Sequence, residues 1–293
     1  MTTIHSWHGQ LRVKPAQSLI LFICWWILSW VLGSILITRI GIETTMSVRL
    51  ATVVQDIVMF VLPTLMTMLL IAQRPMRTMN ADQAPALSVG LLGIITLVVS
   101  IPWMNSLVLW NENLHFPESL SSLEQILRNA ENNAEILVNT IIGGTDISDL
   151  VISILIIGVL TGISEELFFR GGLQSILVRS TGNIHAAIWL TAFVFSAVHM
   201  QFFGFFPRLL MGAFFGYLLY WSNSLWLPVL VHALNNSIVV TLTWLGTRGY
   251  SDALLFENFG IDWQWCLASA VLTALSVWRL IRFSNRMKRR YKY

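Results

Sequence analysis

Apolar runs about twenty residues long recur along the whole chain, and they leave few folds open. A helix needs ~20 mostly apolar residues to cross the hydrocarbon core of a bilayer. Within lipid, only helices and closed barrels satisfy their own backbone. The runs fall at about 18–38, 50–72 and 87–110, then from near 149, and at about 184–203, 207–222, 225–245 and 262–282. Composition agrees, with 55% hydrophobic and 11% charged residues and thirteen Trp, against ~25% charged in soluble domains. The expected fold is all-α: one integral membrane domain over 1–293, a polytopic transmembrane bundle of about eight spans. The first run starts near Ser18, is long enough to span and lacks a small-residue cleavage site after it, so it is read as a span and not a leader. Cys24 and Cys266 both lie in apolar runs and are read as small hydrophobes.

Between the third and fourth spans, residues 118–142 carry a different pattern. Leu120, Leu123, Leu127, Ala130, Ala134, Leu137, Val138 and Ile141 recur at helical spacing, with Glu124, Arg128, Glu131 and Glu135 between them. This spacing predicts an amphipathic helix at the membrane interface or capping the bundle. Orientation follows from Lys and Arg. Arg12, Lys14, Arg74, Arg77, Arg286, Lys288, Arg289, Arg290 and Lys292 fall on the side of both termini, and Arg39, Arg49, Arg128, Arg208 and Arg248 on the other. Both termini are therefore expected in the cytoplasm, with the chain in the plasma (inner) membrane. The basic tail is short and directly follows a span, which argues against nucleic acid as a partner and for the bilayer itself.

Against this apolar background, Glu165, Glu166 and Arg170 stand out. Ionisable groups at membrane depth cost ~2.5–3.5 kcal/mol each on insertion scales and mark functional sites. Glu166 and Arg170, four apart, share a helix face and can pair. Glu165 is turned ~100° away and is left free. The turn Thr181-Gly182-Asn183 lies midway between Glu165 and His199, which sets those two at one depth if both helices are regular; a break at Gly171-Gly172 would undo this. Phe195 precedes His199 by one turn and is expected to pack beside it. His232 and Asn236 share one face of the seventh span, with Asn235 turned away from it. Each group alone could be structural glue between helices. Together they supply a base, an imidazole to orient water and two hydrogen-bond donors, the parts of a hydrolase. No Gly-x-Ser-x-Gly elbow or His-Glu-x-x-His zinc signature is present. Two Glu and two His could hold zinc or another divalent metal, but the Glu166–Arg170 pairing opposes it, and no cofactor is expected.

Glu165-Glu166-x-x-x-Arg170, Phe195-x-x-x-His199 and His232-x-x-x-Asn236 resemble, in order, the three motifs of the CPBP family, which comprises CAAX prenyl proteases, bacteriocin-processing enzymes and Abi proteins. The resemblance covers a core at about 149–240; the first three spans and the last carry no motif. It implies an intramembrane, glutamate-dependent endopeptidase working without metal on a membrane-associated protein or peptide. It assigns water activation to Glu165 and His199, oxyanion stabilisation to His232 and Asn236, and support to Glu166, Arg170 and Phe195. Other readings of the same residues are a peptide-binding or self-immunity protein that does not cut, a metal-dependent form of the protease, and a proton-coupled transporter. No repeated halves with broken helices support the last.

Overall fold

The computed structural model describes residues 11–249 and 262–290, the side chains of 287–290 excepted. The described residues are helical apart from turns and a single antiparallel bridge between Leu11 and Ala72. Among the described residues, nine helices carry the architecture: α1 Pro15–Ile40, α2 Thr45–Ile71, α3 Leu87–Glu112, α4 Ser121–Ile142, α5 Ile147–Thr181, α6 Ile184–Ala197, α7 Phe205–Ser222, α8 Trp226–Thr247 and α9 Trp263–Arg290. Seven of them are long and apolar enough to cross a membrane, and α6 is a shorter apolar helix. The protein is an all-α polytopic membrane bundle. Of the basic tail, Lys292 and the side chains of Lys288, Arg289 and Arg290 lie outside the described part.

The turns follow their local chemistry. Gly182 ends α5 in the left-handed region, φ 65°, and the Asn183 side chain caps α6 by accepting from the N–H groups of His185 and Ala186. Asn223, φ 56°, ends α7 and closes the tight hairpin expected at Ser222–Ser224. The fifth run is corrected. Its helix stops at Ala197, not near 203, and Met200 takes a left-handed φ of 54° before a 3-10 turn at Phe202–Gly204. His199 therefore sits in a turn and not on a helix face.

Helix α5 does not break at Gly171-Gly172. It runs continuously, widened into π-helical turns at Ile154–Leu160 and Leu167–Gln174; α2 is widened likewise at Gln55–Val61. Such wide turns recur at functional sites. One core packs Phe22 of α1 and Met68 and Ile71 of α2 around Phe168, Phe169 and Ile176 of α5.

The predicted amphipathic helix is α4, preceded by a 3-10 turn at Glu118–Leu120. Of its residues only Ile141 and Ile142 are buried, while Leu123, Ile126, Ile136, Leu137 and Val138 are exposed, as an interfacial helix with one face in lipid requires. Its C-terminal carbonyls are held by Arg49, whose Nε and Nη2 donate to the Ile141 and Ile142 carbonyls at 2.9 and 3.2 Å and whose Nη2 also meets Asp149 at 2.9 Å. That buried arginine ties α2, α4 and the start of α5 together. At the other end, Arg128 pairs with Glu124 at 2.7 Å and lies 4.1 Å over the Phe203 ring.

Candidate active site

Close approach of α5 and α8 brings the polar groups together. A Cβ on Gly162 would lie 3.0 Å from the Ala233 backbone nitrogen, and one on Gly158 would lie within reach of the Ser237 hydroxyl. Gly158 and Gly162 on α5 face Ala233 and Ser237 on α8, each pair spaced by four. This is the small-residue pattern by which membrane helices approach closely. The pattern is legible in the sequence, outside the three motifs.

Helix α5 then delivers its carboxylates to two different places. Glu166 and Arg170 are fully buried. Arg170 Nη1 donates to Glu166 Oε1 at 2.6 Å and Nη2 to the Gly212 carbonyl of α7 at 2.8 Å. The Arg170 guanidinium carbon sits 4.8, 5.3 and 5.8 Å from the ring centres of Phe195, Phe215 and Phe169. Cation–π attraction of this kind strengthens when water is excluded. The same Glu166 Oε1 lies 2.8 Å from His232 Nδ1. An ionised carboxylate only accepts, so Nδ1 carries the proton there. Phe215 stacks on the His232 ring at 4.6 Å.

Glu165 points the other way, into a cavity of about 1380 Å³. Its Oε2 lies 3.7 Å from His232 Nε2 and its Oε1 lies 4.0 Å from His199 Nε2. His199 Nδ1 donates to the Phe195 carbonyl at 2.7 Å, which leaves Nε2 as an acceptor facing Glu165, and the Phe195 ring packs 5.1 Å away. The expected juxtaposition of Glu165 and His199 thus occurs although α5 is widened and α6 ends early.

Asn236 lines the cavity and donates from Nδ2 to the Ile157 carbonyl at 3.3 Å. Asn235, expected to turn away, lines it too and donates to Asn236 Oδ1 at 3.3 Å. A cavity this wide spans more of α8 than one helical face.

Sequence reasoning also missed residues outside the motifs. Asp56 of α2 is 1% exposed and accepts from the Thr161 hydroxyl at 2.7 Å. Thr161 lies one turn before Glu165, and both line the cavity. A lone Asp in an apolar span was the available signal. Glu131 of α4 sits over Phe203 and Gly204, opposite Arg208, and burial pushes its carboxyl above the usual range. Arg208 Nη2 donates to Gln201 Oε1 at 2.8 Å. Among the described residues, no three His, Cys, Asp or Glu side chains converge as a metal site would need.

No curated protein and no solved structure matches the chain. Residues 147–238 match the family model described as type II CAAX prenyl endopeptidase Rce1-like. The matched stretch runs from the start of α5 into α8 and contains every residue of the three motifs. Residues 147–238 of this integral membrane protein are thus similar to the type II CAAX prenyl endopeptidase, Rce1-like family.

Proposed function

We propose that the protein hydrolyses a peptide bond of a membrane-associated polypeptide with a water activated by Glu165. The observation that carries this reading is the 4.0 Å gap between Glu165 Oε1 and His199 Nε2. A water donating one hydrogen to each of two acceptors at ~2.8 Å holds them about 4 to 4.5 Å apart. With Nδ1 committed to the Phe195 carbonyl, His199 accepts one hydrogen and Glu165 takes the other as base. The hydroxide attacks the peptide carbonyl, and Glu165 returns the proton to the leaving amine.

The oxyanion then needs donors. His232 Nε2 and the Asn236 amide face the same space. With His232 Nδ1 committed to Glu166, Nε2 donates when the ring carries both protons, and Glu166 is the adjacent counter-charge. Glu166, Arg170 and Phe195 are positioning groups in this scheme.

This scheme uses no metal: the water is held by Glu165 and His199, and Glu166 is taken by Arg170 and His232. Purified protein in detergent, incubated with quenched fluorogenic peptides, is expected to cut with or without a strong chelator. Glu165→Gln is expected to lose ~10²–10⁴ in kcat. Cleavage by Glu165→Gln at the wild-type rate would overturn the mechanism. Cleavage abolished by chelator and restored by zinc would replace it with a metal-dependent one.

A further inference from the structure

Helix α6 holds 14 residues, a length of ~21 Å, which is short of the ~30 Å hydrocarbon core. It begins at the face where α1 begins and α2 ends. It stops short of the opposite face, turns through His199 and Met200, and hands the chain to α7, which returns. The α6–α7 hairpin therefore leaves a gap at the far face, between the end of α3, the start of α5 and the end of α8, and α4 lies across it. The cavity is this gap. Glu112 at the end of α3, Thr247 at the end of α8, and Glu131 and Glu135 of α4 all line it. None of its lining residues comes from the turns at 72–86, 181–184 or 222–225.

Charge separates the same two faces. The cavity face carries Glu43, Glu112, Glu118, Glu124, Glu131, Glu135, Asp146 and Asp149. Against these acids stand five arginines: Arg39 in the last turn of α1, and four engaged within the fold, Arg49 with Asp149, Arg128 with Glu124, Arg208 with Gln201 and Arg248 with the Thr145 carbonyl. The opposite face holds Arg12, Lys14, Arg74, Arg77, Arg179 and the basic end of α9, with Asp82 as the acid among its described residues. Lys and Arg bias marks the cytoplasmic side.

We infer that the cavity opens on the non-cytoplasmic face and that its substrate is a polypeptide segment presented there, membrane-inserted or exported and carrying basic residues. A soluble cytoplasmic tail does not reach this mouth. The rim carries Glu112, Glu131 and Glu135 against Arg128 and Arg208, with Glu135 exposed on the cavity wall, and this excess of acid raises the local concentration of cationic segments. The cleavage part of this inference rests on the proposed function; the sidedness does not.

The test separates the two. The full chain is expressed with Cys24→Ser and Cys266→Ser and one added cysteine: Asn132→Cys or Asn133→Cys on α4, or Gln73→Cys in the opposite turn. A membrane-impermeant maleimide added to intact spheroplasts is expected to label both α4 sites at once and Gln73→Cys only after permeabilisation. The reverse pattern overturns the inference. Catalysis plays no part in that readout. On purified protein, a fluorogenic peptide flanked by Lys is then compared with one flanked by Glu. We expect a preference of roughly tenfold or more in kcat/KM for the Lys peptide, shrinking as salt rises. Equal rates overturn the basic-substrate part and leave the sidedness standing.

Discussion

Arg170 has no exposed surface, lies against three aromatic rings and shares Glu166 Oε1 with His232. Removing one partner of such a pair strands the other, which costs ~3–5 kcal/mol. Arg170→Met is therefore expected to lower stability by about that amount, read as a loss of thermal stability in detergent. Combining it with Glu166→Gln should recover part of the loss, because the double variant leaves no buried charge unpaired. Full additivity of the two losses would show that the groups do not act as a pair. Asn236→Ala should leave folding intact and lower kcat by ~10²–10³ with little change in KM, as loss of one oxyanion donor does. A change confined to KM would make Asn236 a substrate-binding group instead. Glu165 and Glu166 illustrate what one residue step on a helix decides. The first reaches the cavity and two imidazole nitrogens; the second is sealed against an arginine.

At the scale of elements, the contact of α5 with α8 sets the geometry of the site. A Cβ on Gly162 would meet the Ala233 backbone nitrogen, Cα and Cβ at 3.0–3.2 Å. Gly162→Val adds two methyl groups beyond that and is expected to cost ~1–3 kcal/mol and to depress cleavage by widening the distance from Glu165 to His232. Cleavage and thermal stability both at wild-type levels would show that the spacing is not critical. Helix α4 depends on a different contact. Glu124 accepts from the Phe116 N–H at 2.8 Å and pairs with Arg128, and these hold its carboxyl down to about 2 from 4.5. A carboxyl depressed in the folded state contributes stability above its unfolded value and loses it as pH falls through the folded one. Anchoring of the first turns of α4 should thus be constant from pH 7 to about 5 and weaken from about 4.5 towards 2. Amide hydrogen exchange in residues 114–128 checks this; protection independent of pH over that range would contradict it.

For the whole molecule, the basic residues on one face and the acids on the other argue for a single orientation that does not depend on the tail alone. Neutralising Arg286, Lys288, Arg289 and Arg290 leaves Arg12, Lys14, Arg74, Arg77 and Arg179 on the same side. Orientation is expected to hold, with externally added maleimide still failing to label Gln73→Cys in intact spheroplasts. Labelling there would show that the tail fixes topology. The runs of apolar residues determined the order of the apolar helices, because lipid accepts little else; that the fifth is too short to span was decided by the fold. The periodicity at 118–142 determined α4, and the spacing of Glu166 and Arg170 determined their pairing, because both are local properties of a helix. Other features were decided only by the fold. The early end of α6 puts His199 in a turn, which periodicity alone did not show. Asn235 joins the cavity because the width of that space is set by several helices together. Asp56 reaches Thr161 across more than a hundred residues of chain. The direction in which the cavity opens follows from one short hairpin stopping inside the bundle, a comparison of lengths and places that exists only once the helices are packed.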